Sequence, residues 1–149
     1  MTAQTFPEVA VGASYGPVQV HLTRDSLVRY AGASGDFNPI HYRDDVAQHA
    51  GLPGVLAHGM LTQGVSVQPV VDWVAEGDPG RVLDYQVRFT RPVVVDGTDG
   101  ADLHITAKVT GIAEVAEGRH AGREIATVAL TVTFEGRTVL GKAVAQVLR

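Results

Sequence analysis

The sequence predicts an α+β fold, because one long apolar segment of helical character precedes a series of strands with period-two hydrophobicity. The apolar segment covers residues 59–74 and is hydrophobic almost all round, as expected of a helix enclosed by other elements. After Gly80, apolar and polar residues alternate, which is typical of an antiparallel sheet with one buried face. A central helix and one long sheet together indicate the α+β class.

The helices ahead of that segment are marked by capping and breaking residues. A short strand over residues 18–22 leads into a helix that begins near Thr23, the expected N-cap, and ends at Gly35. A second, short helix is predicted over residues 44–49, closed by the glycine and proline that follow it. The loop between the two helices is too rich in helix breakers to be regular helix.

Four strands are predicted in the second half of the chain from their alternating apolar residues. They cover residues 83–89, 103–109, 128–134 and 139–148. The connections at residues 96–100 and 115–122 are rich in Gly, Asp and Glu, which favours turns and surface loops.

Composition indicates an ordinary soluble chain of one domain, predicted to span residues 1–149. Of these 149 residues, 45% are hydrophobic and 19% charged, enough to bury a substantial core. No run approaches the ~18 apolar residues of a membrane span. The first residues lack the features of a secretory signal, so we expect a cytoplasmic protein that does not enter a membrane. The chain has no cysteine, which excludes disulfides, thiolate metal sites and cysteine nucleophiles.

The charge distribution argues against nucleic acid as a partner. The net charge is −4, and residues 1–79 carry three basic against eight acidic side chains. Residues 80–149 carry nine basic against eight acidic side chains. Those basic residues either form a patch for a phosphate group or an acidic carrier protein, or lie in solvated turns.

Residues 34–41 carry the most informative chemistry of the chain. Asp36 and His41 place a carboxylate and an imidazole five positions apart. Gly35 frees the backbone and Pro39 fixes its own φ, so the two side chains can converge across a tight loop. Such a pair suits general acid–base catalysis.

A second motif, at residues 57–61, predicts the start of the central helix. Its small residues precede the apolar segment, and the free amides of a helix N-terminus can hold an anion. Gly59 is the candidate donor at that point. An anion site beside an acid–base pair suits proton transfer next to a carbonyl.

Four further residues are candidate substrate-binding residues with a structural alternative for each. Asn38 either orients a substrate carbonyl or holds the loop through bonds to the backbone. Ser34 and Thr62 are either hydrogen-bond donors around the site or ordinary loop and helix hydroxyls. His58 is ambiguous, with a structural role favoured. The histidine and aspartate spacing matches no common ligand pattern, so no metal is predicted.

Residues 34–41, followed by residues 57–61, closely resemble the hydratase motif of MaoC-like proteins. These are the (R)-specific enoyl-CoA hydratases and (3R)-hydroxyacyl-ACP dehydratases, and within them the B-type subunits of mycobacterial dehydratases are most similar. The resemblance implies a hot-dog fold, in which a long antiparallel sheet wraps around a central helix. It also implies reversible hydration of a trans-2-enoyl thioester to the (3R)-3-hydroxyacyl thioester, with no cofactor.

The same resemblance implies roles for the site residues. Asp36 and His41 would hold one water between them, and the Gly59 amide would donate to the thioester oxygen. The substrate would be carried on CoA or on acyl-carrier protein. The partner would be a second copy or a different hot-dog chain, since one sheet around one helix leaves strand edges uncovered.

Two other functions remain open on the sequence. A hot-dog acyl thioesterase would use the same substrate but direct water to the carbonyl carbon. A non-catalytic acyl-binding subunit of a heterodimeric dehydratase would not need both Asp36 and His41, which argues against that reading.

Overall fold

The computed structural model describes residues 5–149. Its helices and strands follow in this order: β1 (Ser14–Leu22), α1 (Arg24–Ser34), α2 (Asp44–His49), α3 (Gly59–Trp73), β2 (Val82–Phe89), β3 (Ala101–Glu114), β4 (Glu124–Phe134) and β5 (Arg137–Leu148). Single 3₁₀ turns occupy Pro39–His41 and Pro79–Arg81. Over these described residues, no helix has both the length and the apolar character needed to cross a bilayer.

The five strands form one antiparallel sheet in the order β1-β3-β4-β5-β2. Strands β3, β4 and β5 are consecutive neighbours, and β1 and β2 lie at the two edges. Helix α3 packs against all five strands. The sheet therefore wraps around a central helix, and the predicted α+β hot-dog fold is confirmed.

The core lies between α3 and the concave face of the sheet. Its β3 and β4 side chains alternate inward as the period-two pattern predicted, and the completely buried ones include Leu103, Ile105, Ala107, Val109, Val128 and Val132. At the far end of α3, the indole N–H of Trp73 donates to the Pro7 carbonyl at 2.7 Å. This bond ties the segment before β1 to the end of the central helix.

The apolar composition of α3 predicted a helix enclosed on all sides, but its amino end is exposed. Met60 in its first turn is 58% exposed, whereas Thr62 and Ser66 are buried. The two hydroxyls are satisfied inside the helix, because Thr62 Oγ1 donates to the His58 carbonyl and Ser66 Oγ to that of Gln63. Small polar residues thus lie on the packed face in the first half of α3, whereas Val70, Val71 and Trp73 are buried in its second half. The exposed Met60 leaves the amino end of the helix open.

Three strands are at least four residues longer than their alternation predicted. Strand β1 begins four residues earlier than residue 18, β4 begins four residues earlier than residue 128, and β3 continues five residues beyond residue 109. The β1 extension lies beyond a register shift between Tyr15 and Val18, and the paired β3 and β4 extensions lie beyond one between Val109 and Gly111. A bulge reverses which side chains face the core, so a continuous alternation ends there although the strand does not.

Candidate active site

The loop that carries the predicted pair starts at a well-defined helix end. Thr23 caps α1 through a reciprocal capping box with Ser26, as predicted in part from the sequence. At the other end Gly35 has φ 76°, and its N–H donates to the Ala31 carbonyl at 2.9 Å. That left-handed conformation favours glycine and turns the chain sharply away from the helix axis.

Side chains of the loop then hold its backbone in a relay. Ser34 Oγ donates to the Tyr30 carbonyl at 2.8 Å and accepts from the Asp36 N–H at 3.2 Å. Asp36 Oδ1 accepts from the Asn38 N–H at 3.2 Å. Asn38 Oδ1 accepts from the Ile40 N–H at 3.3 Å and caps the 3₁₀ turn. These bonds favour the structural alternative for Ser34 and Asn38.

The 3₁₀ turn delivers His41 against the segment that leads into α3. Leu56 donates its N–H to the Ile40 carbonyl at 3.2 Å. His41 Nδ1 lies 2.7 Å from the Leu56 carbonyl oxygen. Because a carbonyl only accepts, Nδ1 carries a hydrogen, and in the neutral ring Nε2 keeps its lone pair.

Asp36 and His41 converge as the sequence predicted. Asp36 Oδ2 lies 3.9 Å from His41 Nε2, and the side chains are 51% and 11% exposed respectively. This separation is too long for a direct hydrogen bond but admits one oxygen atom about 2.8 Å from both groups. The pair can therefore hold a water or a substrate hydroxyl between a carboxylate and an imidazole lone pair.

His58 lies behind this pair and is almost completely buried. Its ring stacks on that of His41 with centroids 3.8 Å apart and planes 24° from parallel, and it also contacts Tyr30 at 4.8 Å. His58 Nε2 lies 3.1 Å from the Asp36 carbonyl oxygen. Burial lowers the pKa of His58, and its proximity to His41 lowers it further, while the Asp36 carbonyl opposes the shift.

Gly59 is the first residue of α3, immediately after His58. No side chain caps this helix start, and the first intrahelical bond of the turn runs from the Thr62 N–H to the His58 carbonyl at 3.0 Å. The amides ahead of Thr62 therefore point out of the helix at its positive end. A Cβ on Gly59 would lie 3.1 Å from Cε1 of Phe89, so a larger residue would crowd this point.

Two cavities lie on either side of the segment 57–59. The first, of about 310 Å³, is lined by Gly59 and Thr62 and by the end of β2 with Phe89 and Arg91. The second, of about 210 Å³, lies between α1 and the loop and reaches His41 and His58. Its remaining lining is apolar or aromatic and consists of Leu27, Val28, Ala31, Phe37 and Tyr42.

The site has residues that a metal ion could use, but their geometry fits one poorly. Asp36, His41 and His58 each offer a ligand atom within 4.8 Å of the others. Each imidazole already donates one ring N–H to a backbone carbonyl. Their remaining lone pairs lie in nearly parallel, stacked planes, whereas a tetrahedral ion needs lone pairs that converge on one point.

The structure brings most of the predicted site residues together, in two neighbouring groups. Asp36, His41 and His58 form one cluster, and Gly59 and Thr62 line the neighbouring cavity. Sequence reasoning missed Leu56 and Phe89, which hold the imidazole and crowd the helix start. The sequence gives no sign of either role. Leu56 acts through its backbone carbonyl, and Phe89 fits the alternating apolar pattern of a strand, which does not show that it contacts Gly59.

The fold and this loop define a hot-dog domain that carries an Asp–His pair beside the amino end of its central helix. Residues 7–131 match the family described as MaoC like domain. The chain belongs to that family, which confirms the resemblance drawn from residues 34–41 and 57–61.

Three known proteins that resemble this chain are a curated dehydratase and two solved structures. The 3-hydroxyacyl-thioester dehydratase X of Mycobacterium tuberculosis is 32% identical over 112 residues, which cover 62% of this chain and 38% of that protein. A solved structure named MaoC-like dehydratase is 36% identical with a TM-score of 0.81, over 94% of this chain and 40% of that chain. This chain thus spans less than half the length of either relative.

The third similar protein shares the fold alone. It is the C-terminally truncated HadBC complex, a (3R)-hydroxyacyl-ACP dehydratase from Mycobacterium tuberculosis. It is 18% identical with a TM-score of 0.72, over 93% of this chain and 96% of that one.

Proposed function

We propose that the protein catalyses reversible hydration of a trans-2-enoyl thioester to the (3R)-3-hydroxyacyl thioester. The observation that carries this proposal is the 3.9 Å separation of Asp36 Oδ2 and His41 Nε2, with Nδ1 of the ring committed to Leu56. It leaves one carboxylate and one ring nitrogen facing a gap that fits a single oxygen atom. Similarity to a 3-hydroxyacyl-thioester dehydratase supports the same reaction class.

In the hydration direction, the water oxygen forms a bond to C3 as Asp36 accepts one of its protons. The electron pair of the double bond moves onto the thioester oxygen as an enolate-like species. The proton taken up by Asp36 passes across the newly bonded oxygen to the lone pair of His41 Nε2, and Nε2 then delivers it to C2. The second hydrogen of the water stays on the C3 hydroxyl, so the carboxylate and the neutral imidazole end in their starting forms.

The amide of Gly59 is the proposed donor to the thioester oxygen. It lies at the positive end of α3 and lines the cavity that contains Thr62, Phe89 and Arg91. A fixed donor of this kind typically contributes about 2.7–4 kcal/mol to the transition state. The thioester itself activates C3, so the reaction requires neither a cofactor nor a metal.

The substrate carrier is CoA or acyl-carrier protein, and both present the same pantetheine thioester. Arg91 at the rim of the Gly59 cavity offers a cation to a phosphate, with its guanidinium held by the Thr138 carbonyl at 2.9 Å. We propose no nucleic-acid partner, and the cytoplasmic location stays a prediction from the sequence.

The proposed protein partner is a second hot-dog subunit, either another copy of this chain or a different one. Edge strand β2 exposes Leu83 and Phe89, which are 40% and 50% exposed, and Met60 is exposed at the adjacent start of α3. An uncovered edge with apolar side chains favours pairing with another sheet. The HadBC complex is a named assembly of this fold.

The decisive assay supplies a trans-2-enoyl-CoA and follows two signals at once. Loss of the conjugated enoyl absorbance reports hydration, and a thiol reagent reports release of CoA. We expect loss of the double bond with formation of the (3R)-alcohol and no thiol above background. Stoichiometric thiol release with the double bond intact would instead identify a thioesterase, and neither signal would indicate an acyl-binding subunit.

A further inference from the structure

His58 is a buried titratable side chain that the proposed reaction does not use. We propose that His58 is a positioning residue that holds both members of the catalytic pair, the backbone of Asp36 through Nε2–H and the ring of His41 through its face. This inference rests on the proposed function, since positioning matters only if Asp36 and His41 move protons. It assigns to His58 a role through those residues, with no contact to the substrate.

The hydrogen-bond geometry determines the tautomer of His58. The Asp36 carbonyl oxygen, 3.1 Å from Nε2, can only accept, so Nε2 carries the hydrogen. Burial lowers the pKa of His58, which keeps the ring neutral and leaves Nδ1 unprotonated. His58 and His41 are therefore opposite tautomers, with hydrogens on Nε2 and Nδ1 respectively.

His58 contacts both Asp36 and His41, whose side chains make no direct hydrogen bond to each other. One edge of the ring holds Asp36, at the start of the loop, and one face holds His41, at its end. One rigid ring therefore contacts the residues on both sides of the 3.9 Å gap. A shift of about 1 Å in such a gap can cost about 10²-fold in rate.

A purely packing role does not account for this residue. His58 is 1% exposed, and its Nδ1 has no hydrogen-bond partner among residues 5–149. A buried acceptor without a donor costs about 1–3 kcal/mol, which a phenylalanine at the same place would avoid. The imidazole is explained if its Nε2 donor is needed where it lies.

Two variants separate the two contacts. His58→Gln keeps an amide donor for the Asp36 carbonyl and loses the ring face, whereas His58→Phe keeps a ring face and loses the donor. We expect each to lower kcat about tenfold or more while KM changes less than about threefold. His49 is the matched control, because its Nδ1 also bonds a backbone carbonyl, that of Asp45 at 2.7 Å, but at an exposed site on α2. His49→Gln and His49→Phe should leave kcat unchanged.

Nitrogen NMR of the imidazole rings supplies a readout that does not depend on activity. In the unmodified protein we expect the Nε2–H tautomer for His58 and the Nδ1–H tautomer for His41. In His58→Gln, the His41 ring N–H should exchange with solvent faster than in the unmodified protein, and in His58→Phe it should stay protected. A protein that hydrates no enoyl thioester would refute the proposed function, but the NMR signals would still test whether His58 holds Asp36 and His41.

Three results would overturn the inference. The first is an Nδ1–H tautomer of His58 in the unmodified protein, which needs no variant to fold. The second is a folded His58→Gln and a folded His58→Phe that both retain the original kcat. Equal loss of kcat in the His49 variants would also overturn it, because the effect would not then be specific to the pair.

Discussion

Asp36 and His41 differ in their surroundings, and this difference suits different tasks in proton transfer. The Asp36 side chain is half exposed, so its carboxylate can exchange a proton with solvent between turnovers. His41 is nearly buried, with its ring held by the Leu56 carbonyl on one edge and by His58 on one face. A fixed ring can deliver a proton to one defined carbon atom, as the proposed stereochemistry requires.

Asp36→Asn and His41→Ala should each reduce hydratase kcat by a factor of about 10² or more. Each change removes one of the two groups that face the gap, while the helices and the sheet do not depend on either side chain. Steady-state kinetics checks the loss, and far-ultraviolet circular dichroism checks the fold. Either variant keeping more than about a tenth of the activity contradicts the assigned pair.

His58 should also make stability depend on pH. Its pKa is below the ordinary value of 6.5 in the folded protein, so the unfolded chain binds a proton at higher pH than the folded one. The free energy of unfolding should therefore fall as the pH drops below about 6.5, until the folded-state pKa is passed.

Denaturant unfolding of the original protein and of His58→Gln, between about pH 5 and about pH 8, isolates this contribution. The free energy of unfolding should decrease less toward low pH in His58→Gln than in the original protein. Equal decreases in both proteins would show that His58 is not held neutral by the fold.

At the scale of elements, alanine substitution of two glycines of α3 should have different effects, lowering kcat at Gly59 and raising stability at Gly64. Gly59→Ala would place a Cβ 3.1 Å from the Phe89 ring and displace the first turn, so kcat should fall about tenfold. Gly64 lies in the same helix with nothing within 4 Å of its Cβ position. Gly64→Ala should stabilise the protein by up to about 1 kcal/mol through helix propensity and leave kcat unchanged.

The double variant Gly59→Ala/Phe89→Leu tests the cause of the first effect. Removing the ring relieves the contact, so part of the lost kcat should return. If Phe89→Leu restores nothing, crowding at the helix start is not how Gly59 acts.

The elements differ in how well the sequence alone predicts them. Helix α2 has the predicted bounds, and α1 starts and ends at the predicted cap residues, because capping is local chemistry between residues close in sequence. Strands β1 and β3 extend beyond their predicted ends, since bulges interrupt the alternation on which strand prediction relies.

The site shows the same division between local and long-range contacts. The bonds within residues 34–41 are all short in sequence, so the turn they form was open to prediction. The stack of His41 on His58 joins residues from two separate elements and depends on how the loop is laid over α3. A sequence shows both histidines but not that their rings touch.

At the scale of the whole molecule, the sheet is unequally protected. The α3-facing side of β2 contains Tyr85, whose hydroxyl bonds Ser66 at 2.7 Å and whose pKa is raised by burial. The two ends of the same strand stay open, at Leu83 and Phe89. Because Phe89 also contacts the position of Gly59, a partner that covers β2 would also close the side of the proposed oxyanion site.

Leu83→Lys should therefore weaken the proposed assembly. A lysine on an edge strand is a common device against strand pairing, and here it would place a charge in an apolar contact. In light scattering at micromolar concentration, we expect the original protein to show at least twice the 15.7 kDa of one chain, and Leu83→Lys to shift toward one chain. Val11→Lys is the control, since Val11 is exposed beside the opposite edge strand, β1. That variant should keep the original mass. A protein with the mass of one chain and full hydratase activity would contradict the assembly, because an uncovered β2 would then be compatible with a complete site.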